Sequence, residues 1–361
     1  MLSILLPLVG ALLPHDPHDA HDGHRHQDAE PLPPRADVPA EPVYLGSGPH
    51  RYRWDAAWLQ LPDGREHFGS THGCIAIDSR GHVYLSADQG DAIQVFDADG
   101  TFVRSFGEDW GGGLHGLSIV TERTVDASGE PGTREVLYAA HLGEKRAIKT
   151  TLDGELLVAF ERPESAELYP DPSQYRPTSV AVAPDGTVFV ADGYGLYWIH
   201  VYAPDGTYRS SFGGRGEALE QLGTPHGLWI DTRGEAPTLI VADRAKSRLA
   251  RFSLAGEYLS QTDPASGLLR RPCHLQFTGD LAVVADLQGR ITLLDRDLAL
   301  VTHLGDNPDE SQRANFGVTP DAWSAGHFTA PHCARIAPDG SIYVMDWNVA
   351  GRLTRLVPAP E

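Results

Sequence analysis

The sequence predicts an all-β, six-bladed β-propeller preceded by a disordered N-terminal leader. Three observations support this prediction. A short related segment recurs six times along the chain, each copy is followed by a β-rich run, and Asp-Gly or similar turns separate the runs. The 38 Gly and 27 Pro of the 361 residues are spread between these runs as turn residues. A unit of three or four short strands cannot bury both faces alone, so such units stack around an axis.

The chain begins with a segment that resembles an export signal. Residues 1–14 contain an apolar run that is too short to span a bilayer and that ends at Pro14. We therefore expect a signal peptide over residues 1–14 and a secreted or periplasmic protein. No later segment has the length and apolarity of a membrane helix, so no membrane span is expected.

Residues 15–50 are rich in His and Asp and then in Pro, which predicts a disordered linker. Five histidines lie between residues 15 and 26. Such a segment could capture Zn, Cu or Ni loosely, or it could be a solvated leader without a fixed role. Both interpretations remain open.

The propeller itself is predicted over residues 51–358. The six opening segments are residues 71–78, 114–120, 177–186, 225–231, 272–277 and 331–340. Their equivalent positions, which we call the markers, are His72, His115, Thr178, His226, His274 and His332. A strand within residues 52–61 is expected to complete the last blade and so protect the sheet edges. The longer gaps at residues 119–135, 162–176 and 306–328 are predicted to be loops.

Charge and size restrict the partners. The chain has 29 Lys and Arg against 49 Asp and Glu, a formal net charge of −20, which argues against nucleic-acid binding. We expect a monomer that binds a peptide or small molecule at the mouth of the propeller tunnel.

Five of the six markers are histidines, and this predicts a metal site in the tunnel. The first strand of every blade lies beside the axis, and alternate blades are about 120° apart, so His115, His226 and His332 can converge. Three neutral imidazoles with one open position are typical of catalytic zinc. Zinc is the first expectation, another divalent transition metal would accept the same ligands, and His72 and His274 are further candidates. Alternatively, these side chains bind only ordered water.

The ADxxxxRLxxF and APDGxxxVAD motifs of the repeats resemble those of NHL-repeat propellers. The resemblance extends from about Tyr52 to the end of the chain. Residues 114–119 (LHGLSI), 177–194 (PTSVAVAPDGTVFVADGY), 225–231 (PHGLWID) and 331–340 (PHCARIAPDG) resemble the peptidyl-α-hydroxyglycine lyases, also called peptidylamidoglycolate lyases. These enzymes release glyoxylate and leave a peptide amide.

The resemblance implies roles for individual residues. His115, His226 and His332 match the zinc ligands, Tyr194 matches the proton-abstracting base, and Arg244 matches an arginine that can hold the substrate carboxylate. Tyr194 could instead be a loop aromatic that packs over the tunnel mouth.

Two departures weaken the match. Residues 85–91 contain no basic residue where the lyases have a catalytic arginine, and Cys333 stands where they have a calcium-binding Asp. Calcium is therefore possible but lacks its expected ligand. The three cysteines, Cys74, Cys273 and Cys333, are expected to be small buried residues, although Cys74 could also be a thiolate ligand. The alternative function is a non-catalytic NHL propeller that binds a peptide, a glycan or a metal.

Overall fold

The computed structural model describes residues 31–125, 128–164 and 167–361. This part of the chain forms 25 strands in six antiparallel sheets and contains no α-helix, which confirms the predicted all-β, six-bladed propeller. None of its helical turns is long and apolar enough to cross a membrane. The predicted signal peptide, residues 1–14, and the His-rich segment 15–26 lie outside the described residues.

The strands follow the chain blade by blade. The N-terminal pair is β1 (Tyr44–Leu45) and β2 (Tyr52–Asp55). Blade 1 contains β3 (Ile75–Ile77), β4 (Val83–Ser86), β5 (Ile93–Phe96) and β6 (Phe102–Phe106). Blade 2 contains β7 (Leu114–Val125), β8 (Pro131–His141), β9 (Arg146–Thr151) and β10 (Leu156–Phe160). Blade 3 contains β11 (Ser179–Val182), β12 (Val188–Ala191), β13 (Trp198–Tyr202) and β14 (Tyr208–Gly213).

Blade 4 contains β15 (Pro225–Asp231), β16 (Thr238–Asp243), β17 (Arg248–Ser253) and β18 (Tyr258–Gln261). Blade 5 contains β19 (Pro272–Thr278), β20 (Leu281–Asp286), β21 (Arg290–Leu294) and β22 (Leu300–Leu304), and blade 6 contains β23 (Pro331–Ile336), β24 (Ile342–Asp346) and β25 (Arg352–Pro358). The 3-10 helices are Gly48–His50, Pro62–Gly64, Glu108–Trp110, Pro172–Gln174, Arg244–Lys246, Pro264–Ser266, Glu310–Gln312 and Pro320–Ala322.

The first strands of the blades surround the axis and contact one another in a closed ring from β3 through β7, β11, β15, β19 and β23 back to β3. Strand β2 pairs antiparallel with β25 and completes blade 6, as the sequence predicted. Apolar side chains of neighbouring blades interlock; Phe189, Leu228 and Phe252, for example, share one buried cluster between blades 3 and 4. Because the ring is closed, the marker ends of all six blades face the same tunnel mouth.

Asp-Gly turns join neighbouring strands within the blades. In blade 3, Gly186 has φ of +86°, a left-handed conformation that favours glycine. The Asp185 side chain accepts a hydrogen bond from the Thr187 N–H at 2.9 Å. This local pairing of Asp and Gly explains why the turns were readable from the sequence.

The aspartates that end the second strands of the blades hold the segments that precede the markers. Asp243 accepts hydrogen bonds from the N–H groups of Gly223 and Thr224 at 2.8 and 2.9 Å. Asp286 and Asp346 do the same with the residues before Pro272 and Pro331. These carboxylates therefore fix the backbone that enters each innermost strand.

Two parts of the chain differ from the sequence prediction. Residues 119–135 are not a loop, because β7 and β8 remain paired out to Val125 and Pro131 and form a long ribbon. The predicted linker, residues 15–50, includes residues that pack on the propeller. Strand β1 pairs with β2, and the fully buried Asp37 forms an ion pair with Arg352 at 2.8 Å. Arg352 also lies 3.5 Å from the buried Asp346, so Asp37 completes a buried charged cluster, and this contact outweighs the linker-like composition around it.

Candidate metal centre

Three of the predicted ligands occupy the same structural position. Strands β7, β15 and β23 each begin with a β-bulge, and the residues left out of the pairing are His115, His226 and His332. A bulge leaves one residue unpaired and redirects its side chain. In β19 the unpaired residue is Cys273, so His274 is one residue out of step with the other markers.

The structure brings His115, His226 and His332 together, and we call these residues the three-histidine group. One nitrogen of each imidazole lies within 4.8 Å of the others. The ring centroids are 4.7 Å apart for His115 and His226, 5.0 Å for His115 and His332, and 4.6 Å for His226 and His332. All three side chains are almost completely buried. Residues from alternate blades therefore meet near the axis, and this group could hold a metal ion.

Backbone carbonyls orient two of the three rings. His115 Nδ1 lies 2.8 Å from the carbonyl oxygen of Thr178, and His226 Nδ1 lies 3.2 Å from that of Cys273. Because a carbonyl only accepts, each Nδ1 carries the proton and each Nε2 presents a lone pair. Metal-binding histidines in proteins are commonly fixed by such a second hydrogen bond.

Tyr194 lies at the point on which these two lone pairs converge. Its hydroxyl oxygen is 3.1 Å from His115 Nε2 and 2.9 Å from His226 Nε2. Arg244, at the start of its 3-10 helix, donates from Nη1 to the same oxygen at 3.1 Å. Tyr194 and Arg244 are each only 2 % exposed. The structure thus places both residues implied by the family resemblance against the three-histidine group.

The imidazoles of this group are held in the neutral form. Burial, with a smaller contribution from the neighbouring His72, lowers the pKa of His115 to about 3. Burial also lowers the pKa of His226 and His332 well below the usual value, and Arg244 and the other histidines act in the same direction. Neutral imidazole is the form that binds metal ions.

The remaining two predicted ligands lie in different surroundings. His72 does not belong to the three-histidine group; its Nδ1 lies 2.8 Å from Asp88 Oδ1. His274 lies with Cys74 and His332 in a second group, whose ligand atoms are also within 4.8 Å of one another. The sequence analysis had named both Cys74 and His274 as candidate ligands, but nothing in the sequence showed that they lie together.

The residues fit a metal ion on evidence that does not depend on the family. His332 Nδ1 and His274 Nε2 are buried and have no hydrogen-bond partner. Buried polar nitrogens normally have hydrogen-bond partners, and a cation next to them would provide the missing interaction.

Cys333 is in neither group; its sulfur lies 3.8 Å from the carbonyl oxygen of Ile75, and burial raises its pKa. Calcium at this position stays a prediction without its expected oxygen ligand.

The departure at residues 85–91 has a structural counterpart. Asp88, in the stretch where the lyases carry a catalytic arginine, accepts from Ser70 Oγ at 2.9 Å and contacts His72. The described part of this region therefore brings a carboxylate, rather than a guanidinium, towards the histidines.

A cavity opens on the axis at the other end of the innermost strands. It has a volume of about 530 Å³, and Ser118, Trp229, Gln276 and Arg335 are among its lining residues. Arg335 lies three residues after His332 on β23, and its guanidinium donates to the carbonyl oxygens of Leu117 at 3.4 Å and Leu275 at 3.5 Å. This cavity is large enough for a small-molecule ligand.

Comparisons with known proteins show the fold. No protein-family model matches the chain, and no curated protein matches it in sequence. Virginiamycin B lyase from Staphylococcus aureus is structurally similar, with 13% identity, a TM-score of 0.51, and coverage of 80% of this chain and 94% of that one. A streptogramin B lyase structure has 13% identity and a TM-score of 0.54, and covers 86% of this chain and 99% of that one. A nidogen/laminin complex has 15% identity and a TM-score of 0.48, with 73% and 92% coverage. The chain therefore shares the fold of the two lyase structures.

Proposed function

We propose that this protein is an exported, metal-dependent lyase that acts on peptides ending in α-hydroxyglycine, like peptidylamidoglycolate lyase. The observation that supports this most directly is the position of the Tyr194 hydroxyl, which lies about 3 Å from His115 Nε2, His226 Nε2 and Arg244 Nη1. A potential base, a cation and a candidate metal centre thus lie within hydrogen-bond distance of one buried oxygen atom, although their residues are far apart in the sequence.

His115, His226 and His332 would hold the ion, with zinc as the first candidate and another divalent transition metal as the second. A bound divalent ion would supply Lewis-acid polarisation of a substrate oxygen. The neutral state and the carbonyl-fixed orientation of the imidazoles support this assignment.

Tyr194 would act as the general base. The Arg244 guanidinium donates to its oxygen, and a cation beside a phenol favours the ionised form. The phenolate would take the proton of the substrate α-hydroxyl group, the bond between the α-carbon and the amide nitrogen would break, and the nitrogen would gain a proton. The products are glyoxylate and a peptide amide, so atoms and charges balance. Arg244 would also donate hydrogen bonds from its other N–H groups to the substrate carboxylate.

A second candidate is a non-catalytic propeller that binds a peptide, a glycan or a metal. Two observations favour it. Tyr194 and Arg244 are 2 % exposed, so a substrate needs a local opening to reach them. Asp88 also lies in the stretch where the lyases have a catalytic arginine, and losing such a group removes electrostatic stabilisation of the transition state.

One assay separates the two functions. Zinc-loaded protein is incubated with a peptide ending in α-hydroxyglycine, and glyoxylate is measured against a peptide ending in glycine and against protein treated with a chelator. The lyase function predicts glyoxylate from the hydroxylated peptide alone, and only with the metal-loaded protein. No glyoxylate above the chelated control would exclude the lyase and favour the binding propeller.

A further inference from the structure

We propose that Cys74, His274 and His332 form a second metal site, which takes a thiophilic transition-metal ion of the zinc and copper class. We call these residues the thiol group. Their ligand atoms lie within 4.8 Å of one another, and each residue is at most 2 % exposed. The site shares His332 with the three-histidine group but differs from it in containing sulfur, and it does not depend on the lyase reaction.

Unpartnered nitrogens provide a second, independent observation. His274 Nε2 and His332 Nδ1 are buried without a hydrogen-bond partner, and both residues belong to the thiol group. An unsatisfied buried polar atom destabilises the folded state, and two of them in one group are unusual. A bound cation would satisfy both nitrogens at once.

The register of β19 explains why His274 joins this group. Cys273 takes the bulge position that histidines occupy in β7, β15 and β23, and His274 follows it by one residue. The His274 ring centroid is 5.3 Å from that of His226, 5.6 Å from that of His332 and 6.4 Å from that of His115, and its ligand atom groups with those of Cys74 and His332. One marker histidine is thereby assigned to a different ligand set.

Sulfur selects the class of ion. Cys74 Sγ donates to the carbonyl oxygen of His115, so the thiol carries its proton when no metal is bound. Binding of the ion replaces that proton, which leaves for solvent, and forms a metal–thiolate bond. Thiolate with two imidazoles suits zinc and copper, whereas magnesium and calcium prefer oxygen ligands.

Cobalt(II) is a suitable probe, because it stands in for zinc and its bond to a thiolate gives a charge-transfer absorption band. The full-length protein is titrated with Co²⁺ as wild type, Cys74→Ser, Cys333→Ser, Cys273→Ser and His115→Ala. The proposal predicts the band in wild type, in both other cysteine variants and in His115→Ala, and its loss in Cys74→Ser. The histidines of residues 15–26 do not interfere, because that segment contains no cysteine.

X-ray absorption of the Co²⁺-loaded wild type tests the same point without a mutation, and the proposal predicts one sulfur neighbour at about 2.3 Å, close to the zinc–sulfur distance. No band and no sulfur neighbour in wild type would overturn the proposal, as would a band that survives in Cys74→Ser or is lost in Cys333→Ser. A negative glyoxylate assay would leave this result unaffected, so the two proposals fail separately.

Discussion

Replacing Tyr194 with Phe removes one oxygen atom from between His115 and His226 and keeps the aromatic ring. That oxygen lies 3.1 and 2.9 Å from His115 Nε2 and His226 Nε2 and accepts a hydrogen bond from Arg244. None of the three imidazoles is altered. We therefore expect Tyr194→Phe to retain the bound metal and to lose glyoxylate release.

The size of both effects can be worked out. A positioned general base contributes roughly 10²- to 10⁴-fold to the rate, or about 3–5 kcal/mol of activation free energy at 1.36 kcal/mol per tenfold. Arg244 loses one acceptor while it stays buried, and a hydrogen bond to a charged group contributes about 1.5–3 kcal/mol to stability. Since a domain has about 5–15 kcal/mol in total, the variant should fold.

Tyr84→Phe is the matched control. Tyr84 is also buried, and its hydroxyl accepts a hydrogen bond from Arg104 at 3.2 Å, but it lies in β4, away from the histidines. Glyoxylate release, zinc content and urea unfolding are measured for both variants. We expect both to lose stability and only Tyr194→Phe to lose turnover. Unchanged turnover in Tyr194→Phe, or an equal loss in Tyr84→Phe, would refute the role of Tyr194 as base.

Three further predictions concern the metal, pH and the N-terminal segment. His226→Ala should lose the tunnel ion after dialysis, whereas His327→Ala, at a partly exposed histidine outside both ligand groups, should keep it; elemental analysis decides. Burial lowers the pKa of His200 to about 3, so the unfolded state binds more protons below pH 6.5. The wild type should therefore lose about 1.4 kcal/mol more unfolding free energy per pH unit than His200→Gln on acidification from pH 6.5, and equal slopes in urea titrations would contradict this. Asp37→Ala removes the nearer of the two carboxylates that pair with the buried Arg352, Asp37 at 2.8 Å and Asp346 at 3.5 Å, and should cost about 3 kcal/mol, the lower end of the range for a broken buried pair. Breaking the more exposed Asp55–Arg355 pair by Asp55→Ala should cost under about 1 kcal/mol.

Much of the architecture was readable from the chain because its signals are local. Alternating apolar residues, Asp-Gly turns and a repeated opening segment predicted six blades and a closing strand near Tyr52, and the structure confirms both. The bulge positions of His115, His226 and His332 also follow from one repeated local pattern.

The errors arose where local patterns were misleading. His274 was aligned with the other markers, but a shift of one residue in a strand changes which side chain takes the bulge position. Residues 37–50 have the composition of a linker, yet a counter-charge for Arg352 and pairing with β2 bring part of them onto the sheet. Residues 119–135 lacked an obvious strand pattern, because a ribbon beyond the core needs no apolar face.

By itself, the sequence determined the number of blades and the kind of side chain that enters the tunnel, since each depends on residues that are neighbours in the chain. The repeat also predicted the closing strand near Tyr52 and the convergence of His115, His226 and His332. Only the tertiary structure decided which other side chains join them. The Tyr194 hydroxyl between two imidazoles, the thiol group, and the Asp37–Arg352 pair all join residues from separate blades or from opposite ends of the chain. Such contacts depend on distances across the closed ring, and no spacing along the sequence encodes them.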